Sequence, residues 1–426
     1  MSAMQPPPWS RFSCMDPATQ ARHRLAGRQD AAAPVMYLLR LLALALAVVV
    51  ASVGSVAGIA VWSLTNQVTD NAIDIGNGDA APIPSIGALA GSFNMLMVGA
   101  DNAPDQSGFG ETRDATLNDV NILIHVSADH QNVTVVSLPR DLVISQPECT
   151  DPTSGEVYDA VDDEPLNGAY QRGGLGCVVA TVSAVTGLEI PYAALFTFAG
   201  TVAMADAVGG VPICLTDAIQ DTDSGLDLPA GTSVVSGATA LAYLRDRHGI
   251  AGESDLSRIS SQQAYMSSLF RVMTSAGTLS DPTKLYGLAE AAATSISLSE
   301  SLASVDRMVA MALAIKDVSL QNMVFVQYPV LDDPDDAAKV IPDDVLAPVL
   351  AGKLASDTPV VLSADSLGQS VTLDPSAPAP AASTDPVAPD PAATDAAGDP
   401  VATAPPVDEG LSGMNASQTT CSIAAD

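Results

Sequence analysis

Three arginines, Arg245, Arg247 and Arg258, fall within fourteen residues of a chain that has only 17 basic residues and a net charge of -32. A guanidinium is a permanently charged planar fork that matches phosphate or carboxylate geometry. Gathered in so acidic a chain, with Gln262 one helical turn after the last, the three point to a multiply charged anion. The same segment also carries Asp246, Glu253 and Asp255, so a network of ion pairs explains the arginines equally well. Asp101 and Asp119 follow and open predicted strands. Brought to one sheet edge, the two carboxylates would hold a hard cation that bridges phosphate oxygens. Each is also an ordinary turn or strand-cap residue. Arg140 ends a strand in Pro139-Arg140-Asp141, where pairing with Asp141 is the simpler role. His125, His130 and His248 invite a general-base role, yet a lone strand histidine is more often a packed one. None is assigned to the site.

The elements that must position these groups are readable from periodicity. Phe93 to Val98 is a strand, and Val120–Val126 and Val133–Leu138 form a hairpin across the polar turn SADHQN. Leu175 to Gly187 has valines at helical spacing and stops on a glycine. Ser236 caps a helix through Arg245, and Ser254 or Asp255 caps a longer one to about Ser275. On the longer helix Ile259, Met266, Phe270 and Met273 form an apolar stripe, with Arg258 and Gln262 on an adjacent polar face. A further strand covers Val324 to Tyr328. Helices interleaved with strands imply an α/β layered domain with a covered sheet. The aliphatic stretches Leu175–Val185 and Leu269–Met273 are either core or the walls of a dry channel.

Residues 1–40 hold five basic residues and two acids, a basic tail; the remainder has a net charge of -35. Such a field repels nucleic acid. Residues 41–62 carry no charge and, as a helix, span about 30 Å, the thickness of a hydrocarbon core. The basic flank is N-terminal, and no Lys or Arg follows Arg40 until Arg113. That bias predicts a single-pass transmembrane helix with residues 1–40 cytoplasmic and the rest extracytoplasmic. Residues 63–85 read as a polar stalk and 86–362 as the folded domain. Residues 363–426, rich in Pro, Ala and Asp, read as a disordered tail. Outside the membrane Cys149, Cys177, Cys214 and Cys421 permit three pairings. Cys149 with Cys177 is the expected bridge, and the pairing of Cys214 with Cys421 stays open. No CxxC pair or His-rich spacing marks zinc.

The succession NMLMVGAD ending at Asp101, LNDVNILIHVSAD with Asp119, VVSLPRD with Arg140 and LNGAYQRGG with Asn167 is continued by DAVGGVPICL. LPAGTSVVSGATALAYLRDRHG and SDLSRISSQQAYMSSLFR complete it. Over roughly residues 90–330 this resembles the LytR-CpsA-Psr (LCP) family of cell-wall enzymes, in its actinobacterial form, and several motifs agreeing in order are far more specific than any one. The resemblance implies an α/β/α sandwich with a central mixed sheet and a hydrophobic tunnel beside a pyrophosphate site. It implies a membrane-anchored phosphotransferase that takes a glycopolymer from an undecaprenyl-pyrophosphate carrier and attaches it to peptidoglycan through a phosphodiester, with Mg²⁺ as cofactor. Hydrolysis of the same pyrophosphate would be a side activity. Carried over by position, Asp119, Arg245 and Arg247 are catalytic, Arg140, Arg258 and Gln262 bind pyrophosphate, and Asp101 and Asp119 hold the metal. The chain departs from the family at Ala103, Leu117 and Ser261, where arginine is usual; Arg113 or Arg172 would have to substitute. Those departures keep open the alternative of a catalytically weakened polyprenyl-phosphate-binding or scaffolding wall protein, against which the retained Asp101, Asp119, Arg140, Arg245, Arg247, Arg258 and Gln262 argue.

Overall fold

Alternation along three apolar, β-branched runs sets the frame. β1 (Phe93–Ala100) pairs antiparallel with β2 (Asn118–Val126), and β2 with β3 (Val133–Leu138), Val126 lying opposite Val133 across the expected hairpin. Successive side chains point to opposite faces of a strand. Leu96, Val98, Leu123, Val136 and Leu138 therefore enter one core, while Phe93, Ile122, Val126, Val133 and Val135 enter another. The computed structural model describes residues 32–76, 87–100, 116–377 and 407–425, apart from 153, 253, 276, 278–280 and 364.

Four more strands complete a mixed seven-stranded sheet: β4 (Tyr192–Phe196), β9 (Ile296–Leu298), β10 (Met323–Gln327) and β12 (Gly413–Asn415), in the order β9-β4-β1-β2-β3-β10-β12. β4 and β10 run parallel to their neighbours β1 and β3; the other pairs are antiparallel. On one face pack α2 (Ala169–Thr186) and α7 (Leu346–Ala355). On the other lie α6 (Val305–Ile315) and part of α5 (Asp255–Thr274). Helices on both faces of a mixed sheet make the α/β/α layering that the sequence implies. α2 ends on Gly187 at φ 69°, a left-handed position that costs glycine nothing. Ser254 caps α5, its side chain accepting from the Ser257 amide.

The sequence did not announce a second, four-stranded sheet: β8 (Gly231–Val235), β5 (Val211–Leu215), β13 (Thr420–Ser422) and β11 (Val371–Leu373), in that order. Its two last strands overturn the reading of 363–426 as a disordered tail. Leu411, Met414, Ala416 and Cys421 are buried, β12 closes the main sheet, and β13 inserts between β5 and β11. The rest of that stretch, 378–406, lies outside the described residues. Cys421 bonds Cys214, answering the pairing left open, and Cys149 bonds Cys177 as expected.

The stalk also needs correction. α1 (Ala32–Asp70) is followed by Ile73, whose amide donates to the Leu298 carbonyl at 2.8 Å and whose carbonyl accepts from Glu300 at 2.9 Å. Ile75 is buried in the core beneath the first face. Two isoleucines in a polar stretch suffice to fasten it to the domain; residues 77–86 lie outside the description. The chain divides into Met1–Trp62, described as helix from Ala32, and Ser63–Asp426. Among the described residues no helix is long and apolar enough to cross a membrane. The uncharged run 41–62 lies within α1, part of whose side chains fall outside the description.

The Cys214–Cys421 bond spans a sequence separation of 207, against 28 for Cys149–Cys177. Loop-closure entropy makes the longer crosslink worth about 2 kcal/mol more. Replacing each pair by serines and measuring urea unfolding should show that difference. Equal losses would mean that denatured-state entropy does not set their contributions.

Candidate functional site

Antiparallel pairing brings the start of β2 beside the end of β3, so Asp119 and Arg140 meet at one edge of the main sheet. The C-terminus of α4 (Gly237–Arg245) and the first turn of α5 converge on the same edge. There Arg140 Nη1 donates to Asp119 Oδ1 at 2.9 Å, and its Nε lies 3.3 Å from Asp141 and 3.4 Å from Asp255. Arg258 also pairs with Asp255, and its Nη2 reaches the Asp119 carbonyl at 3.2 Å. Gln262, one turn on, donates to the Leu244 carbonyl at 3.0 Å, fixing α5 to the end of α4. Arg245 stacks 4.6 Å over the ring of Phe198, the first residue of α3 (Phe198–Ala207).

Electrostatics separate these arginines. Burial works against the charge of Arg140, but Asp119, Asp141 and Asp255 more than offset it and raise its pKa. Burial pushes the Asp255 carboxyl up, with Arg258 and Arg140 pulling the other way. Arg247, half-buried in the loop after α4, is lowered to about 10, first by burial and then by the Arg258 and Arg140 guanidinium groups. No ion pair to Arg247 is formed among the described residues. Among the described residues Asp119, Asp141 and Asp255 are thus engaged by Arg140 and Arg258. The ion-pair reading suits Arg140 and Arg258; Arg247 is a cation in a field of cations, which an anion would relieve.

Behind this edge runs a cavity of about 1100 Å³. Its floor is the second face of the sheet, with Met95 and Met97 of β1 and Ile122 and Ile124 of β2. Its walls include Leu269 and Met273 of α5 and Met308 and Met311 of α6. Asp119, Arg245, Arg247, Arg258 and Gln262 stand at one end of it. Of the two aliphatic stretches that were candidates for a channel wall, Leu269–Met273 contributes both end residues. Leu175–Val185 does not, because α2 packs on the opposite face. The methionines were visible as NMLMV in β1, but alternation alone does not tell a lined cavity from a packed core.

Asp119, Arg140, Arg245, Arg247, Arg258 and Gln262 are therefore brought together, as anticipated. Asp101, Ala103 and Arg113 lie outside the described residues. Arg172 is no substitute: its guanidinium donates to Gln146 Oε1 at 3.0 Å and to the Pro147 carbonyl at 3.3 Å, tying a loop together. Ser261, where the resemblance leads one to expect arginine, is buried, with its Oγ 3.3 Å from those of Ser370 and Ser422. The C-terminal strand occupies the space that a longer side chain would need. Asn118 is likewise structural, its side chain bonded to Asn121, Leu166 and the Tyr170 amide.

The LytR_cpsA_psr family model matches residues 61–344. The cell wall biosynthesis protein LcpA of Corynebacterium glutamicum is 30% identical over 268 residues, covering 57% of this chain and 51% of its own length. The polyisoprenyl-teichoic acid–peptidoglycan teichoic acid transferase TagT of Bacillus subtilis is 26% identical over 232 residues, covering 53% of this chain and 66% of its own. The chain thus spans about half the length of the Corynebacterium relative. Among solved structures, a LytR-Csp2A-Psr enzyme from Actinomyces oris is 21% identical, with a TM-score of 0.47 over 64% of this chain and 96% of its own. TagT bound to LIIa-WTA is 18% identical, with a TM-score of 0.48 over 67% and 99%.

The two kinds of charge at this site should respond oppositely to neutralisation. Asp255→Asn leaves two guanidinium groups without their shared counter-ion and should cost roughly 3–5 kcal/mol of stability. Arg247→Gln removes an uncompensated cation and should leave stability unchanged or raise it by up to about 1 kcal/mol. Urea denaturation of both variants checks this; a large loss in Arg247→Gln would make that residue structural.

Proposed function

The chain belongs to the LytR-CpsA-Psr family, and on that premise we propose that it is a phosphotransferase that moves a glycopolymer from a polyprenyl-pyrophosphate carrier onto peptidoglycan. The observation that carries this reading is the apolar cavity with arginines at one end. Only an amphiphile with a long hydrocarbon part and a multiply charged head uses both. In the proposed reaction an acceptor hydroxyl oxygen on peptidoglycan bonds to the sugar-linked phosphorus. The P–O–P bond breaks, the polyprenyl phosphate leaves with the electron pair, and the hydroxyl proton passes to solvent or to a base.

Such a step asks mainly for positioning and for neutralising charge on non-bridging oxygens. Arg247 is the group for that, since Arg140 and Arg258 are tied to carboxylates and no ion pair engages Arg247 among the described residues; Arg245, stacked over Phe198, lines the same cavity and assists. Arg140, Arg258 and Gln262 instead fix the edge against which the pyrophosphate lies. Mg²⁺ belongs to the proposal, with Asp101 and Asp119 as its carboxylates. The fit rests on Asp119, one of whose oxygens accepts from Arg140 and whose other forms no ion pair among the described residues; bound there, the ion would spread phosphate charge.

We further propose that residues 41–62 anchor the chain in the membrane with the domain outside. The uncharged run, the basic residues before it and two disulfides support this, since disulfides persist where the environment is oxidising. Leu42, Leu44, Leu46, Ile59 and Trp62 of that run are exposed.

The test is the full-length protein in detergent with a polyprenyl-pyrophosphate-linked saccharide, peptidoglycan fragments and Mg²⁺. Transfer should fall about 10- to 100-fold in Arg247→Ala, the value of one desolvated charge-assisted contact. Burial of each methylene is worth about 0.8 kcal/mol, so carriers shortened by several isoprene units should bind at least about tenfold more weakly. Tight binding without transfer would select the binding or scaffolding role. Release of the saccharide phosphate to water alone would select hydrolysis, and affinity independent of chain length would remove the cavity from the account.

A further inference from the structure

Among the residues lining the same cavity a second group of side chains, which does not include Asp119, converges. β6 (Ile219–Asp221) turns into β7 (Leu226–Leu228) through Thr222–Gly225. The Asp221 carboxylate holds that turn, accepting from the Asp223 amide at 3.0 Å and the Ser224 amide at 3.1 Å. The loop after α4 folds over it and sets His248 Nδ1 3.2 Å from Asp223 Oδ2. One ligand atom each from Asp221, Asp223 and His248 lies within 4.8 Å of the others. The fold makes room for this at Gly249, where a Cβ would sit 2.3 Å from Ile219 and 2.6 Å from Asp246 Oδ2.

A second observation points to a ligand. Asp246 is completely buried. Its Oδ1 accepts from the Gly249 amide at 3.1 Å, but its Oδ2 has no donor among the described residues. That carboxylate faces Asp221, and two carboxylates repel unless positive charge lies with them. No arginine ion pair reaches either one among the described residues.

We propose that Asp221, Asp223 and His248 form a divalent-cation site, backed by the buried carboxylate of Asp246 and built from ligands other than Asp119. Two carboxylates and an imidazole suit a borderline ion of the Mn²⁺ or Zn²⁺ class better than Mg²⁺, which prefers oxygen alone. Three protein ligands leave positions open to water or to an anionic oxygen entering the cavity mouth, beside Arg245 and Arg247. Asp246 is the positioning residue: it orients Asp221 and adds charge behind it. The site stands without the transfer reaction, because cation binding alone tests it.

The experiment is an EPR titration of the chelator-stripped, full-length protein with Mn²⁺. Wild type should bind one ion per chain at this site, and Zn²⁺ should displace it more readily than Mg²⁺. His248→Gln and Asp223→Asn, both at exposed positions, should each weaken Mn²⁺ binding at least about tenfold, and Asp246→Asn by about tenfold. Asp119→Asn should leave this binding event intact. Binding that is lost in Asp119→Asn and unchanged in His248→Gln would overturn the proposal, as would no Mn²⁺ bound at all. In the latter case Asp221 and Asp246 share a proton instead.

Discussion

The site hangs on one carboxylate. Asp255, in the first turn of α5, is the counter-ion of both Arg140 from the end of β3 and Arg258 one turn along the helix. Two guanidinium groups brought so close repel strongly in a sheltered place, and a shared anion is what lets the helix approach the sheet edge. That approach sets the rest. It fixes the height of α5 above the sheet, and with it the width of the gap in which the cavity lies. It also leaves Arg247 in the field of its neighbours, with no ion pair of its own among the described residues. The carboxylates at this edge are thus taken up by Arg140 and Arg258, and Arg247 lines the cavity beside them.

The same economy governs the two faces of the sheet. On one, valines and leucines from β1, β2 and β3 meet α2 and fill the space. On the other, methionines at alternate positions of β1 and aromatic residues at Phe93 and Phe196 leave it incompletely filled. Strand geometry is identical on both sides; the difference is in side-chain shape and in how far the covering helices stand off. Flexible thioethers suit a wall that must fit a chain of varying conformation.

How much of this was legible follows from the range of the interactions. The β2–β3 hairpin, the Gly187 stop and the Ser254 cap are local, and periodicity and residue type suffice for them. The grouping of Asp119, Arg140, Arg245, Arg247, Arg258 and Gln262 was legible through the order of motifs. What stayed hidden is non-local. Cys421 meets Cys214 across most of the domain, and β11, β12 and β13 are three residues each, too short for any alternation to show. Their sequences, VTL, GMN and TCS, hold no apolar run that marks a strand. Asp221 and His248 are brought together by two separate loops, and neither has a neighbour in sequence that marks it. Ile73 and Ile75 read as spacers because two apolar residues do not make a pattern.

The insertion of β13 between β5 and β11 bears on the order in which the protein can be made. Tyr243, two residues before Arg245, is buried with its hydroxyl 2.6 Å from Ser422 Oγ, and Ser261 in α5 touches the same hydroxyl. Both helices that carry the arginines therefore rest against residues near the chain's end. A nascent chain that has emerged only as far as α5 holds these helices without that support, and the arginine site gains it only once residues 420–422 have been made.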